Sequence, residues 1–134
     1  MSIFGKYAPL YFAAGISVMP LGKKSKRPIL NEWTAYGREM PTKAMQDMWV
    51  REYADNNIGI PFGPASNLCA IDIDTDDEAL VSAILDELPD AVWRRRGKKG
   101  MGIIYKWAGQ ANFKLRNADN ESVVEFLGMG NQLV

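Results

Sequence analysis

The sequence predicts a single α+β domain, and three observations predict it. Segments with helical and strand periodicity intermix along the chain instead of alternating regularly. Several strand-like runs are joined by short Gly-containing turns, which favours antiparallel pairing. The 134 residues, 47% of them hydrophobic, suit one domain with a sizeable core that folds without disulfide or other staples.

Taken in order, residues 4–14 read as a short helix that stops at Gly15, and "ISVMPL" as a strand after it. The strand leads into "GKKSKRPILNEW", a loop rich in Gly, Ser, Pro and Lys whose end, Trp33, anchors it to the core. A second helix begins near "PTKAM" with Thr42 as its N-cap, and Met45, Met48, Trp49 and Tyr53 form an apolar stripe that reads as core. In "NNIGIPFGPASNLCAIDID" two β-like runs, around residues 58–60 and 68–73, flank a Gly/Pro/Ser turn resembling a hairpin loop. Thr75-Asp76-Asp77-Glu78 matches a capping box with Thr75 at the cap, ahead of a helix carrying Leu80, Ile84, Leu85 and Leu88 and ended by Pro89. "AVWRRRGKKGMGIIYKWAG" reads as strand, basic turn, strand, and "ESVVEFLG" as a further strand with Val123, Glu125 and Leu127 on one face. No internal repeat, low-complexity tract or linker interrupts this order.

Lys plus Arg equals Asp plus Glu at 16 each, so no overall basic bias advertises nucleic-acid binding. The charges are nevertheless segregated. "KKSKR" and "RRRGKK" concentrate positive charge, and residues 72–78 concentrate negative charge. Cys69 is the only cysteine, which rules out an internal disulfide and fits a reducing cytoplasm. The N-terminal apolar run is broken by Lys6 and Pro9, so neither a signal peptide nor a membrane span is expected. The chain has no histidine, which excludes a His base, a His metal ligand and an imidazole contact to phosphate.

Five acidic residues fall within seven positions at the end of the apolar run "NLCAI". Asp72 and Asp74 alternate with Ile71 and Ile73, so a strand puts both carboxylates on one face. Such a D-x-D supplies two hard oxygen donors for Mg²⁺ or Mn²⁺. Glu125, an acid amid Val123, Val124, Phe126 and Leu127, is the candidate third, because a carboxylate in an apolar strand is costly unless paired or metal-bound. The structural alternative makes Asp72 and Asp74 exposed turn residues and Glu125 an edge charge or an arginine's partner. Asp76, Asp77 and Glu78 read as favouring the helix N-terminus through its dipole.

The ordered set of these pieces resembles the N-terminal bifunctional primase/polymerase (prim-pol) domain of the archaeo-eukaryotic primase superfamily, of the phage, plasmid and mobile-element type. The resemblance covers nearly the whole chain. It rests on a strand, basic loop, Lys26, Pro28 and Trp33; on "NIGI", a small-residue turn and the hydrophobic D-x-D; and on "VVEFLGMGNQLV" as the third acidic strand. It implies an RRM-like primase core, a mixed, largely antiparallel sheet flanked by helices, with residues 1–134 as the catalytic domain. It maps Asp72, Asp74 and Glu125 onto the family's metal-binding carboxylates, which hold two Mg²⁺ or Mn²⁺ ions for template-directed transfer of NTPs or dNTPs to a 3′-hydroxyl. A single-stranded DNA template or primer-template, and a helicase domain or protein, are the implied partners in the bacterial host cytoplasm.

The sequence departs from the family's pattern in two places. Where the family commonly has Ser-x-His contacting the triphosphate, Gly102 stands, and Arg96, Gly97, Lys98, Lys99 and Gly100 look like a basic-turn variant. Arg and Lys neutralise phosphate oxygens that an imidazole only hydrogen-bonds, so Arg96, Lys98 and Lys99, with Ser66 in the turn before the D-x-D strand, are the candidate nucleotide contacts. Lys23, Lys24, Lys26, Arg27, Arg94 and Arg95 are the candidate contacts to a phosphate backbone. Trp33 and Trp107 are candidates for stacking on bases or, more simply, for core packing. Family members also continue beyond the acidic strand, so a chain ending at Val134 is expected to be shortened at its C-terminus and to extend primers feebly. The alternative function is a non-catalytic nucleic-acid or partner-binding module that retains the fold.

Overall fold

The computed structural model describes residues 2–89, 91, 93–96, 100–109 and 112–133. Helix α1 (Ile3–Ala13) buries Phe4 and Ala8, one turn apart, and ends where Gly15 takes φ +79°. Helix α3 (Lys43–Glu52) starts at the expected cap, Thr42, whose side chain accepts the Met45 N–H. Its Trp49 is fully buried and meets the Tyr36 ring of the one-turn helix α2 (Ala35–Arg38) edge-on, with centroids 5.0 Å apart.

Strands β1 (Met19–Pro20), β2 (Ile58–Pro61) and β8 (Gln132–Leu133) form a small antiparallel sheet in the order β1-β2-β8. The larger sheet contains β3 (Leu68–Ile73), β4 (Trp93–Arg96), β5 (Met101–Lys106), β6 (Phe113–Arg116) and β7 (Ser122–Leu127). Its order is β4-β5-β3-β7-β6, and each neighbouring pair is antiparallel. Helix α4 (Glu78–Glu87) follows β3 and stops at Leu88, whose extended backbone is what a following proline imposes.

The two faces of the large sheet have separate cores, so the domain has three layers. Leu68 and Ala70 of β3 and Ile104 of β5 pack against Phe4, Val18, Trp49, Ile60 and Phe62. On the opposite face Ile73, Met101 and Ile103 pack against Val81, with Ile84, Leu85 and Leu88 beside it. Strand alternation sorts the side chains between these layers. Among the described residues no helix is long and apolar enough to cross a membrane.

Two local expectations are corrected. β2 and β3 are not a hairpin, because they belong to different sheets and only a Gly63–Leu68 bridge joins them. Gly63 takes φ +137° and the Phe62 N–H turns to the Asn131 carbonyl, so the chain leaves the first sheet before it enters the second. The cap of α4 is Asp77, whose carboxylate accepts the N–H groups of Ala79 and Leu80, while Thr75 accepts the Asp77 N–H. Asp77 is two residues closer to the helix, and its carboxylate also favours the positive end of the helix dipole.

Candidate active site

Along the first face of β3, Leu68 and Ala70 lie under the α1–α3 layer, whereas Asp72, the next residue on that face, is half-buried. The Asp74 N–H donates to the Val123 carbonyl at 2.7 Å, which carries the ladder one residue past β3 and keeps Asp74 on the face of Asp72. The concentrated acid at the end of a buried strand therefore marks where that strand emerges from its cover.

Register then aligns one residue from each strand of the large sheet. Asp72 is paired with Gly102 on one side and Glu125 on the other. Gly102 is paired with Arg95, and Glu125 with Lys114. Directly opposed residues of an antiparallel ladder share a face with Cβ atoms about 5 Å apart, so Arg95, Gly102, Asp72, Glu125 and Lys114 form one row across five strands. Two adjacent carboxylates are flanked by two cations. Gly102 leaves no side chain between Arg95 and Asp72.

Each carboxylate has identifiable neighbours. Glu125 accepts a hydrogen bond from Ser122 Oγ at 3.2 Å and faces Lys114 Nζ at 3.7 Å. Burial raises the pKa of Asp72, the charges of Asp74 and Glu125 raise it further, and Arg95 and Lys26 oppose them. Lys26 belongs to the β1–α2 loop, which is tied down by Gln132 Nε2 to the Lys26 carbonyl (3.0 Å) and Asn57 Nδ2 to the Ser25 carbonyl (3.1 Å). Lys23, Lys24 and Arg27 are exposed on the same loop.

Other candidates are placed differently. Arg94 and Arg96 pair with Ile103 and Met101, so they lie on the opposite sheet face, lining a cleft with Thr75, Asp76 and Ser82 beside α4. Of the three consecutive arginines, Arg95 is the one that shares the carboxylates' face. Ser66 Oγ accepts the Ser17 N–H at 2.6 Å, which gives it a structural task in joining the turn to the segment before β1. Trp33 and Trp107 are half-buried. Lys98 and Lys99 lie outside the described residues. Lys114 was not apparent in the sequence, where only the short alternation "FKLR" marks its strand.

Among the described residues no group of three His, Cys, Asp or Glu side chains is arranged to hold a metal ion. The Asp72–Glu125 pair still suits a hard divalent cation in its donor chemistry. Mg²⁺ is ordinarily held by one or two carboxylates, with waters and substrate phosphates completing its shell. The positive charges of Arg95, Lys26 and Lys114 suit the phosphates.

A search of the curated proteins finds no match to the chain. A family model, described as "Bifunctional DNA primase/polymerase, N-terminal", matches residues 8–134, which include every element from within α1 to β8. The chain therefore belongs to the prim-pol family, whose domains are primase/polymerase-type nucleotidyl-transfer modules that bind nucleotides and DNA.

Proposed function

We propose that this chain is the catalytic module of a phage or mobile-element primase/polymerase, with Asp72, Asp74 and Glu125 as the carboxylates of a two-metal nucleotidyl transfer. The observation that carries the reading is the row in which Asp72 and Glu125 stand opposite each other between Arg95 and Lys114. Like charges directly opposed across a ladder are destabilising, so such a pair requires compensation by cations.

In this reading Asp72 and Glu125, with Asp74 on the same face, would hold Mg²⁺ or Mn²⁺, which when bound would activate the 3′-hydroxyl and neutralise the departing pyrophosphate. Arg95 and Lys26 bind the triphosphate from the sides of the row, and Lys98 and Lys99 join them on the evidence of the basic turn alone. Lys114 and Ser122 hold the Glu125 carboxylate in position. Lys23, Lys24 and Arg27 receive the phosphate backbone of a single-stranded template or primer-template. A helicase domain or protein is the proposed partner.

The test is primer extension with Mg²⁺ or Mn²⁺. Asp72→Asn and Glu125→Gln are each expected to reduce the rate by about a hundredfold or more, since misplacement of reacting groups by about 1 Å already costs that much. Undiminished synthesis by both variants would remove the carboxylates from catalysis. Binding of nucleotide and DNA without synthesis by the native chain would favour the non-catalytic module.

A further inference from the structure

A second concavity lies on the carboxylate side of the sheet. It is a cleft of about 390 Å³ between α1, the start of β2 and β4. Tyr7 and Tyr11 line it from one helical face and Trp93 and Arg95 from one strand face, with Asn57 and Ile58 also in its lining. Tyr7 is 43% exposed, while Tyr11 and Trp93 are half-buried and pack in part against the core, so three aromatic side chains line the cleft.

Arg95 connects this cleft to the carboxylate row. It lines the cleft, and through Gly102 it is also the row's neighbour of Asp72, two strand spacings or about 10 Å away along the sheet. A ligand that places a ring among the aromatics and an anionic group on Arg95 would therefore extend towards Asp72. Lys6, which does not line the cleft, places its Nζ 5.3 Å from the centroid of the Tyr7 ring, so the ring already accepts a cation on one face. Aromatic side chains with the Arg95 cation among them match a nucleobase carrying phosphate, because every base has a π-face and stacking is tolerant of sequence.

We infer that the Tyr7–Tyr11–Trp93 cleft seats an unpaired nucleobase, with Arg95 holding its phosphate and aligning it with the carboxylate row. The inference rests on the proposed nucleotidyl transfer for its purpose, but the cleft's binding does not require the metals. The base could belong to a DNA strand or to a free nucleotide, and the two sources are separable.

The experiment measures binding of an oligothymidylate in EDTA, of an abasic strand of the same length in EDTA, and of a dNTP with Mn²⁺. The proteins are the native chain, Tyr7→Ala/Tyr11→Ala and Asp72→Asn. The native chain is expected to prefer the base-bearing strand to the abasic one if a strand base is seated, or to lose dNTP affinity in the tyrosine variant if a free nucleotide's base is. In either case the tyrosine variant loses about fivefold to a hundredfold in affinity for that probe, the range of one lost stack. Its melting temperature, checked beside the native chain, confirms that it folds. Trp93→Leu, which keeps an apolar side chain in the cleft, should reproduce the loss and guards against a folding defect in the double variant. Unchanged dNTP affinity together with an unchanged base-over-abasic preference in both cleft variants overturns the inference. Asp72→Asn tests the metal reading separately: weaker dNTP binding confined to that variant with Mn²⁺ supports the metal reading, and undiminished dNTP binding by it counts against the metal reading and not against the cleft.

Discussion

The Asp72 carboxyl is the residue on which opposing electrostatic effects meet. Burial, Asp74 and Glu125 raise its pKa above the ordinary carboxylate range, and Arg95 and Lys26 only partly offset them. An acid whose pKa is raised on folding binds more protons in the folded state, so its ionisation removes stability as pH climbs from the ordinary value through the raised one. Asp72→Asn cannot ionise. Without metal it should therefore melt higher than the native chain at pH 7, and the difference should shrink as pH falls and vanish below about pH 3, where the native carboxyl is protonated in both states. Thermal melts across that range check this, and a difference independent of pH would contradict it. A second residue-scale prediction separates the arginines. Arg95→Ala should weaken dNTP binding by about tenfold or more, as for a lost hydrogen bond to a charged group. Arg94→Ala and Arg96→Ala, on the α4 face, should do so much less, and calorimetric titration of the three variants would show equal losses if the face assignment were irrelevant to binding. The sequence shows three arginines in succession, but a one-residue change of register exchanges their faces. The register of pairing with β5 decides which one faces the acids.

At the scale of elements, the site depends on how β3 leaves the core and how the β4–β5 hairpin closes against it. Gly100 opens β5 with φ +67°, its N–H donates to Asp76 Oδ1 at 3.3 Å, and a Cβ there would overlap the Ile73 carbonyl oxygen. Gly100→Ala should therefore cost at least about 2 kcal/mol from backbone strain and the displacement of β3 together. It should also lower nucleotide binding, because Ile73 lies between Asp72 and Asp74. Chemical denaturation checks the first effect, and native stability in the variant would show that the turn relaxes freely. The strongly patterned elements were legible in the sequence: the Thr42 cap and Trp49 stripe of α3, the β4–β5 hairpin, and the face of β7 bearing Val123, Glu125 and Leu127. β6 was not. All four of its residues are exposed at the sheet edge, so burial imposes no apolar alternation of the usual kind. The α4 start was placed correctly in kind but not in residue, because Thr75 and Asp77 both satisfy cap chemistry and only the backbone path chooses between them.

For the whole molecule, the topology matters more than any segment. The row Arg95, Gly102, Asp72, Glu125 and Lys114 draws one residue from each of five strands, and Lys26 approaches from the loop after β1. The D-x-D and Glu125 could be read as strand-face acids from local periodicity, and the resemblance joined them. Their cationic surroundings emerge only when the four strand pairings of the large sheet are fixed. In the proposed function this assembled row, completed by substrate phosphates, is a divalent-metal platform. Its most direct test is Mn²⁺ titration followed by electron paramagnetic resonance in the presence of a non-hydrolysable dNTP analogue. The native chain should hold Mn²⁺ at least about tenfold more tightly than Asp72→Asn/Glu125→Gln, which lacks two of the proposed carboxylate donors. Equal Mn²⁺ affinity in the two proteins would contradict the assignment.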